Sequence, residues 1–137
     1  MSSKRNNSIV KTTINPEGIL RLVLNNPTNH NVLSEEMMEN IQLALDESAK
    51  NKKTRVIIIS AEGSTFSAGH DLKELKSARQ NSDKGKDYFK KTMLKCSKLM
   101  QSIVKSPKPV IAEVSGVATA AGCQLVASCD LAYAGPL

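Results

Sequence analysis

The chain has no tryptophan, and Phe, Tyr and Trp together make only 3% of its 137 residues. Stacking platforms for single-stranded nucleic acid are therefore scarce, and no nucleic-acid partner is expected. No apolar run approaches the roughly 18 residues that a membrane helix requires, so no membrane span is expected either. Cysteine is sparse: Cys96, Cys123 and Cys129 are odd in number, which makes no disulfide framework. The Cys-x5-Cys spacing with no histidine nearby is not a zinc pattern, and no metal site is expected. Lys4 and Arg5 have no hydrophobic stretch behind them, so no secretory signal is expected, and the short, arginine-poor segment is not expected to be a mitochondrial presequence. The expected location is cytoplasmic, or the mitochondrial matrix if a presequence is missing from this sequence.

What is present is an ordinary globular mixture, 40% hydrophobic and 23% charged. The net charge of +6 suits an anionic small ligand as well as it suits a polyanion. The length allows one domain. Residues 1–8 are expected to be a disordered N-terminal tail, and 9–137 to form the folded unit.

Two short apolar runs around Pro16-Glu17-Gly18 predict a hairpin. Ser34 is a good helix cap, and Met37, Met38, Ile41, Ala44, Leu45 and Ala49 recur at helical spacing up to about Lys50. Val56 to Ser60 is a β-branched run without polar alternation, which predicts a strand buried on both faces. A second long helix is expected from Lys86 to Val104, with Phe89, Met93, Cys96, Met100, Ile103 and Val104 inward. Lys91, Lys95 and Lys98 read as its solvated face. Pro107 and Pro109 end it, a strand follows at Val110–Val114, then a helix over Ala118–Ser128 and a strand from Leu131. No internal repeat is visible. Strands alternating with crossover helices give an α/β fold.

Two places carry backbone chemistry that packing does not demand. In Ser67-Ala68-Gly69-His70-Asp71-Leu72, a flexible turn leads into a short helix and leaves N–H groups, including that of His70, without partners. In Ser115-Gly116-Val117-Ala118-Thr119-Ala120-Ala121-Gly122-Cys123-Gln124, a strand again runs through small residues into a helix and offers the N–H of Ala121. Both can be plain tight connections. Alternatively, two such donors converging on one oxygen make an oxyanion hole. Asp71 reads as the cap of the following helix, Asp130 as a structural hydrogen-bonding acid, and Cys96 and Cys129 as core. Cys123 reads as a small packed residue rather than a nucleophile, since no base is at hand to activate it.

The pairing of Phe66-Ser67-Ala68-Gly69-His70-Asp71-Leu72-Lys73-Glu74-Leu75 with Gly116-Val117-Ala118-Thr119-Ala120-Ala121-Gly122-Cys123-Gln124-Leu125 resembles the crotonase (enoyl-CoA hydratase/isomerase) superfamily. Lys108 to Ala112 and Cys129-Asp130 fit it as well. The resemblance implies a crotonase-like ββα spiral. It also implies an oxyanion hole, made by the His70 and Ala121 backbone N–H groups, that stabilises the enolate of a coenzyme A thioester in acyl-CoA metabolism. Ala68, Gly69, His70, Asp71, Leu72, Lys73 and Ala121 would bind the substrate. The thioester is the substrate, an acyl-CoA small molecule, and no resident cofactor is expected. Two departures bear on the chemistry. Gln124 stands where the hydratases carry a glutamate, and an amide can orient water or substrate but cannot move a proton near neutral pH. The resemblance also extends over only the N-terminal half of a crotonase, so the fold is expected to be truncated, lacking the second acid, with exposed edges. A non-catalytic CoA-thioester binder or an inactive truncated chain is the alternative. Full-length relatives are expected to be homotrimers or hexamers, an assembly not expected of the half-length chain.

Overall fold

A computed structural model describes residues 8–136. The tail expected over 1–8 lies, apart from Ser8, outside the described residues. Ser8 itself is half-buried: its Oγ accepts the Val10 N–H at 3.3 Å and its carbonyl accepts Asn25 Nδ2 at 3.1 Å.

β1 (Val10–Ile14) and β2 (Ile19–Leu24) form the expected antiparallel hairpin. Its turn is tied by Asn15, whose side-chain oxygen accepts the N–H groups of Glu17 and Ile19. β3 (Val56–Ala61), β5 (Val110–Val114) and β7 (Leu131–Ala134) then add in parallel, giving a five-stranded sheet in the order β1-β2-β3-β5-β7. Each parallel step requires a crossover, and each crossover carries helix. These are α1 (Glu35–Lys50), then α2 (Leu72–Ala78) with α3 (Lys86–Val104), then α4 (Ala121–Ser128). Ser34 caps α1 by accepting the Met37 N–H at 3.1 Å, and Glu35 and Glu36 occupy its first turn, against the positive end of the helix.

One sheet face is covered. Leu22, Leu24, Ile57, Ile59 and Val110 join Met37, Met38, Ile41 and Leu45 of α1 and Cys96, Leu99, Met100 and Ile103 of α3 in a single core cluster. The opposite face is open. Val56, Ile58 and Ser60 are only half-buried there, which corrects the expectation of a strand buried on both sides. On that face Arg21 pairs with Glu113 at 2.6 Å across β3, and β7 is exposed along its whole length. The long helix α3 has the expected bounds but a shifted inner stripe, because Leu99 is fully buried while Met93 and Val104 are exposed. Lys95 is not merely solvated. Its ammonium sits 2.8 Å from Glu35 and 2.7 Å from Glu39, pinning α3 to α1.

A second, smaller layer lies beyond the carboxyl ends of the main strands. β4 (Thr65–Ser67) pairs in parallel with β6 (Val117–Ala118), and Leu33 makes an isolated parallel bridge to His70. The unit strand, short outer strand, helix therefore recurs after β2, after β3 and after β5. This is the ββα spiral, and the repeat was hidden because its outer strands are only three residues or fewer.

Candidate active site

The two turns singled out in the sequence meet in this outer layer. The Gly69 backbone, at φ +90°, lies against Ala120–Ala121, so that a side-chain carbon placed on it would stand 2.9 Å from Ala120 Cβ and 3.1 Å from the Ala121 nitrogen. Gly122 and Gly116 approach the chain as closely: a Cβ on Gly122 would meet the Ser67 carbonyl, and one on Gly116 the Ser64 carbonyl. Absent side chains thus set the distance between the turns.

Hydrogen bonds fix the Gly69 turn from the other side. Leu33 donates to the Gly69 carbonyl at 2.7 Å, Ala68 donates to the His30 carbonyl at 3.1 Å, and Gly69 donates to Ser67 Oγ at 3.3 Å. The Thr119 N–H reaches the Ser67 carbonyl at 3.1 Å, joining the second turn to the first. Asn31 organises the loop behind them. It is fully buried and left-handed at φ +48°, with Nδ2 donating to the carbonyls of Glu62 and Thr65 and Oδ1 accepting the Asn26 N–H. Sequence reasoning saw only turn-forming asparagines here. A buried asparagine with three bonds has no distinct signature in composition.

Ala120 carries the backbone strain of the site. Its φ of 51° and ψ of −127° are a conformation that L-residues avoid, and this single residue turns the chain into α4. Among the described residues, neither the His70 N–H nor the Ala121 N–H beyond it has a hydrogen-bond acceptor.

A cleft of about 400 Å³ opens beside the turns, lined by Asn29, Val32, Ala68, His70, Asp71, Leu72, Lys73, Leu75 and Ala120. The structure therefore brings together Ala68, His70, Asp71, Leu72 and Lys73 in one wall, while Gly69 and Ala121 are buried directly behind it. Asp71 is spoken for as the cap of α2, accepting the Lys73 N–H at 2.9 Å. Gln124 is exposed on α4 and is not part of the cleft wall.

The remaining candidates have structural surroundings. Asp130 Oδ2 accepts the Val110 N–H at 2.8 Å, locking the end of α4 to the start of β5. Cys96 is buried, and burial raises its thiol pKa. Burial, with Asp130 beside it, pushes the Cys129 thiol up to about 11. Cys123 is exposed. Glu74 gathers three elements: its Oε2 accepts the Glu35 N–H at 3.0 Å and the Tyr88 hydroxyl at 3.2 Å. The described residues contain no His, Cys, Asp and Glu cluster able to hold a metal, and no helix long and apolar enough to cross a membrane.

The enoyl-CoA hydratase/isomerase family model matches residues 15–136. Enoyl-CoA hydratase domain-containing protein 3, mitochondrial, of Xenopus laevis is 52% identical over 117 residues, which are 85% of this chain and 38% of the frog protein. The Danio rerio protein of the same name is 48% identical over 98% of this chain and 45% of its own length. Among solved structures, human enoyl coenzyme A hydratase domain-containing protein 3 superposes with a TM-score of 0.82 at 47% identity, covering 91% of this chain and 47% of the human one. An enoyl-CoA hydratase of Mycobacterium smegmatis gives 0.84 at 40% identity, covering 92% and 47%. The chain thus spans less than half the length of these relatives. It belongs to the enoyl-CoA hydratase/isomerase family and has the crotonase fold over the part it spans.

Proposed function

We propose that this chain binds an acyl-CoA thioester in the cleft beside His70 and receives the thioester oxygen between the backbone N–H groups of His70 and Ala121. The observation that carries the reading is the direct contact of the two turns, with Gly69 against the Ala121 nitrogen and both N–H groups unclaimed. Preorganised donors of this kind act where negative charge develops, as on the oxygen of a thioester becoming an enolate, and losing one costs about a hundredfold in rate. Ala68, Gly69, His70, Asp71, Leu72 and Lys73 form the substrate wall, and the acyl-CoA is substrate rather than resident cofactor.

A second reading is favoured by Gln124. Its amide does not act as an acid or a base near neutral pH, and it stands exposed away from the cleft wall. The same site then binds and polarises a thioester without turning it over. Of the two compartments open to the chain, the mitochondrial designation of the frog and zebrafish relatives favours the matrix.

Calorimetry with butyryl-CoA on the protein as its gene encodes it tests the site, and exchange of the acyl α-protons in deuterated water tests the enolate. Ala121→Pro deletes one donor at the first helical position, and a melting transition must show that the variant folds, because its ring sits on the nitrogen that faces Gly69. Binding with accelerated exchange that falls about a hundredfold in this variant supports the enzyme reading. Binding without exchange selects the binder, and no binding at all sinks both.

A further inference from the structure

His70 carries more than a backbone donor. His70 lines the cleft, and its ring Nδ1 is buried without a hydrogen-bond partner among the described residues. The ring belongs to the same residue as one proposed oxyanion donor, so its reach is confined to the acyl atoms nearest the thioester. Around it the wall is largely apolar, with Val32, Ala68, Leu72, Leu75 and Ala120.

The two neutral tautomers of this ring are not equivalent. With the proton on Nδ1, a buried N–H donor is left with nothing to receive it, whereas with the proton on Nε2 the buried atom is only a bare lone pair. Orphaned buried N–H donors are rarer in native structures than under-satisfied acceptors, which favours the Nε2–H form. A general base working through Nε2 needs the unfavourable tautomer first, and when it accepts a proton it still leaves the buried Nδ1–H unpaired.

We infer that the His70 side chain is a specificity-determining hydrogen-bond donor. Its Nε2–H is directed at an acceptor oxygen on the acyl group, close to the thioester, and it does not serve as a base. The inference rests on the acyl-CoA reading for its ligand, but the tautomer is independent of it. The class of ligand favoured is an acyl-CoA oxygenated near the carbonyl over one with a plain hydrocarbon chain. Asn29, Asp71 and Lys73 are the other polar members of a wall that is mostly apolar, and against it a ring donor left without an acceptor discriminates against the plain chain.

Acetoacetyl-CoA and butyryl-CoA have the same carbon chain, but the ketone also makes acetoacetyl-CoA far easier to enolise, which the backbone donors favour by themselves. The share of the affinity ratio that is lost with the ring therefore reads the bond, and a general loss of binding in a variant cancels from that ratio. The expected share is about tenfold, the worth of one well-made hydrogen bond at a desolvated site. His70→Phe, with a melting transition to confirm folding, is expected to lower the ratio by about that factor, and His70→Gln, which restores a donor, to recover part of it. The 15N shifts of the His70 ring in the unliganded protein should show Nε2 protonated and Nδ1 bare. A ratio near one in the parent protein, or a ratio unchanged in His70→Phe, overturns the inference, as does a ring protonated at Nδ1. If neither thioester binds while the ring shows the expected tautomer, the acyl-CoA reading has failed and takes the ligand half of the inference with it.

Discussion

The covered face of the main sheet and the small outer layer are built on opposite principles. Between the sheet and α1 and α3, side chains do the work: Leu22, Ile57, Ile59, Met37, Ile41, Leu99 and Ile103 are almost wholly buried against one another. In the outer layer the work is done by backbone. There the strands are two or three residues long, Gly116 and Gly122 admit carbonyls where a Cβ would stand, and Gly69 and Ala120 hold backbone angles unusual for L-residues. A core of large side chains tolerates adjustment of shape. A contact between two backbones does not, and that rigidity is what a pair of fixed N–H donors needs.

The sharpest way to break this comparison is to put a side chain where the outer layer has none. Gly122→Val drives its Cβ into the Ser67 carbonyl, with the Ser67 Cβ only 2.8 Å away. Because backbone must move, a loss above about 4 kcal/mol is expected, enough to abolish a cooperative melt. If the variant melts like its parent, the outer layer is softer than its contacts imply. Leu99→Ala, in the helix-covered core, is expected to cost about 3 kcal/mol by urea denaturation and to leave a cavity. A larger loss at Leu99 than at Gly122 would reverse the ranking of the two regions.

The same division decides what could be read from the sequence. The helices α1 and α3 were legible to within a residue because burial of large side chains leaves a 3.6-residue period, and the hairpin because its turn chemistry is explicit. The outer strands β4 and β6 left no period at all, being too short to repeat, and the helix expected from Ala118 begins only at Ala121. Leu99 lies three residues after Cys96 and four before Ile103, on the stripe their spacing defines, so the helical period carried a signal for it that the expected inner face left out. The motif residues around His70 and Ala121 were legible as a resemblance. Their contact, the strain at Ala120 and the buried hub at Asn31 were not, because all three depend on where distant turns meet.

Asn31 offers an intermediate case, since it serves the outer layer by a side chain. Asn31→Leu keeps the branching of the side chain but adds bulk, removes bonds to the Asn26 N–H and to two carbonyls, and puts an apolar residue at a left-handed position. The expected cost is about 2 kcal/mol, read as a lowered denaturation midpoint with unchanged slope. Affinity for butyryl-CoA should fall as well, because the loop that holds Ala68 and Gly69 is loosened. An affinity loss without a stability loss would separate the site from the scaffold more cleanly than the hydrogen bonds suggest.

The smallest effect is expected where charge alone joins two covered elements. Lys95 bridges to Glu35 and Glu39, and those hydrogen bonds raise its pKa above the ordinary 10.5. A group with a raised folded pKa contributes its full stabilisation below the unfolded value and loses it as the pH climbs through the folded one. With the lysine side chain 31% exposed and both acids about half-exposed, the contribution should stay under about 1 kcal/mol and shrink in salt. Tyr88 acts in the neighbouring window. Burial and the Glu74 carboxylate push its phenol above the ordinary 10.0, so the unfolded chain ionises first and stability falls from there upward. The two are separable because Lys95→Met removes only the lysine part and Tyr88→Phe only the phenol part. Denaturation midpoints between pH 9 and 11.5 should therefore decline less steeply in each variant than in the parent. A parent protein whose stability is flat across that window would show that neither charge holds α3 in place, leaving the core cluster to do so alone.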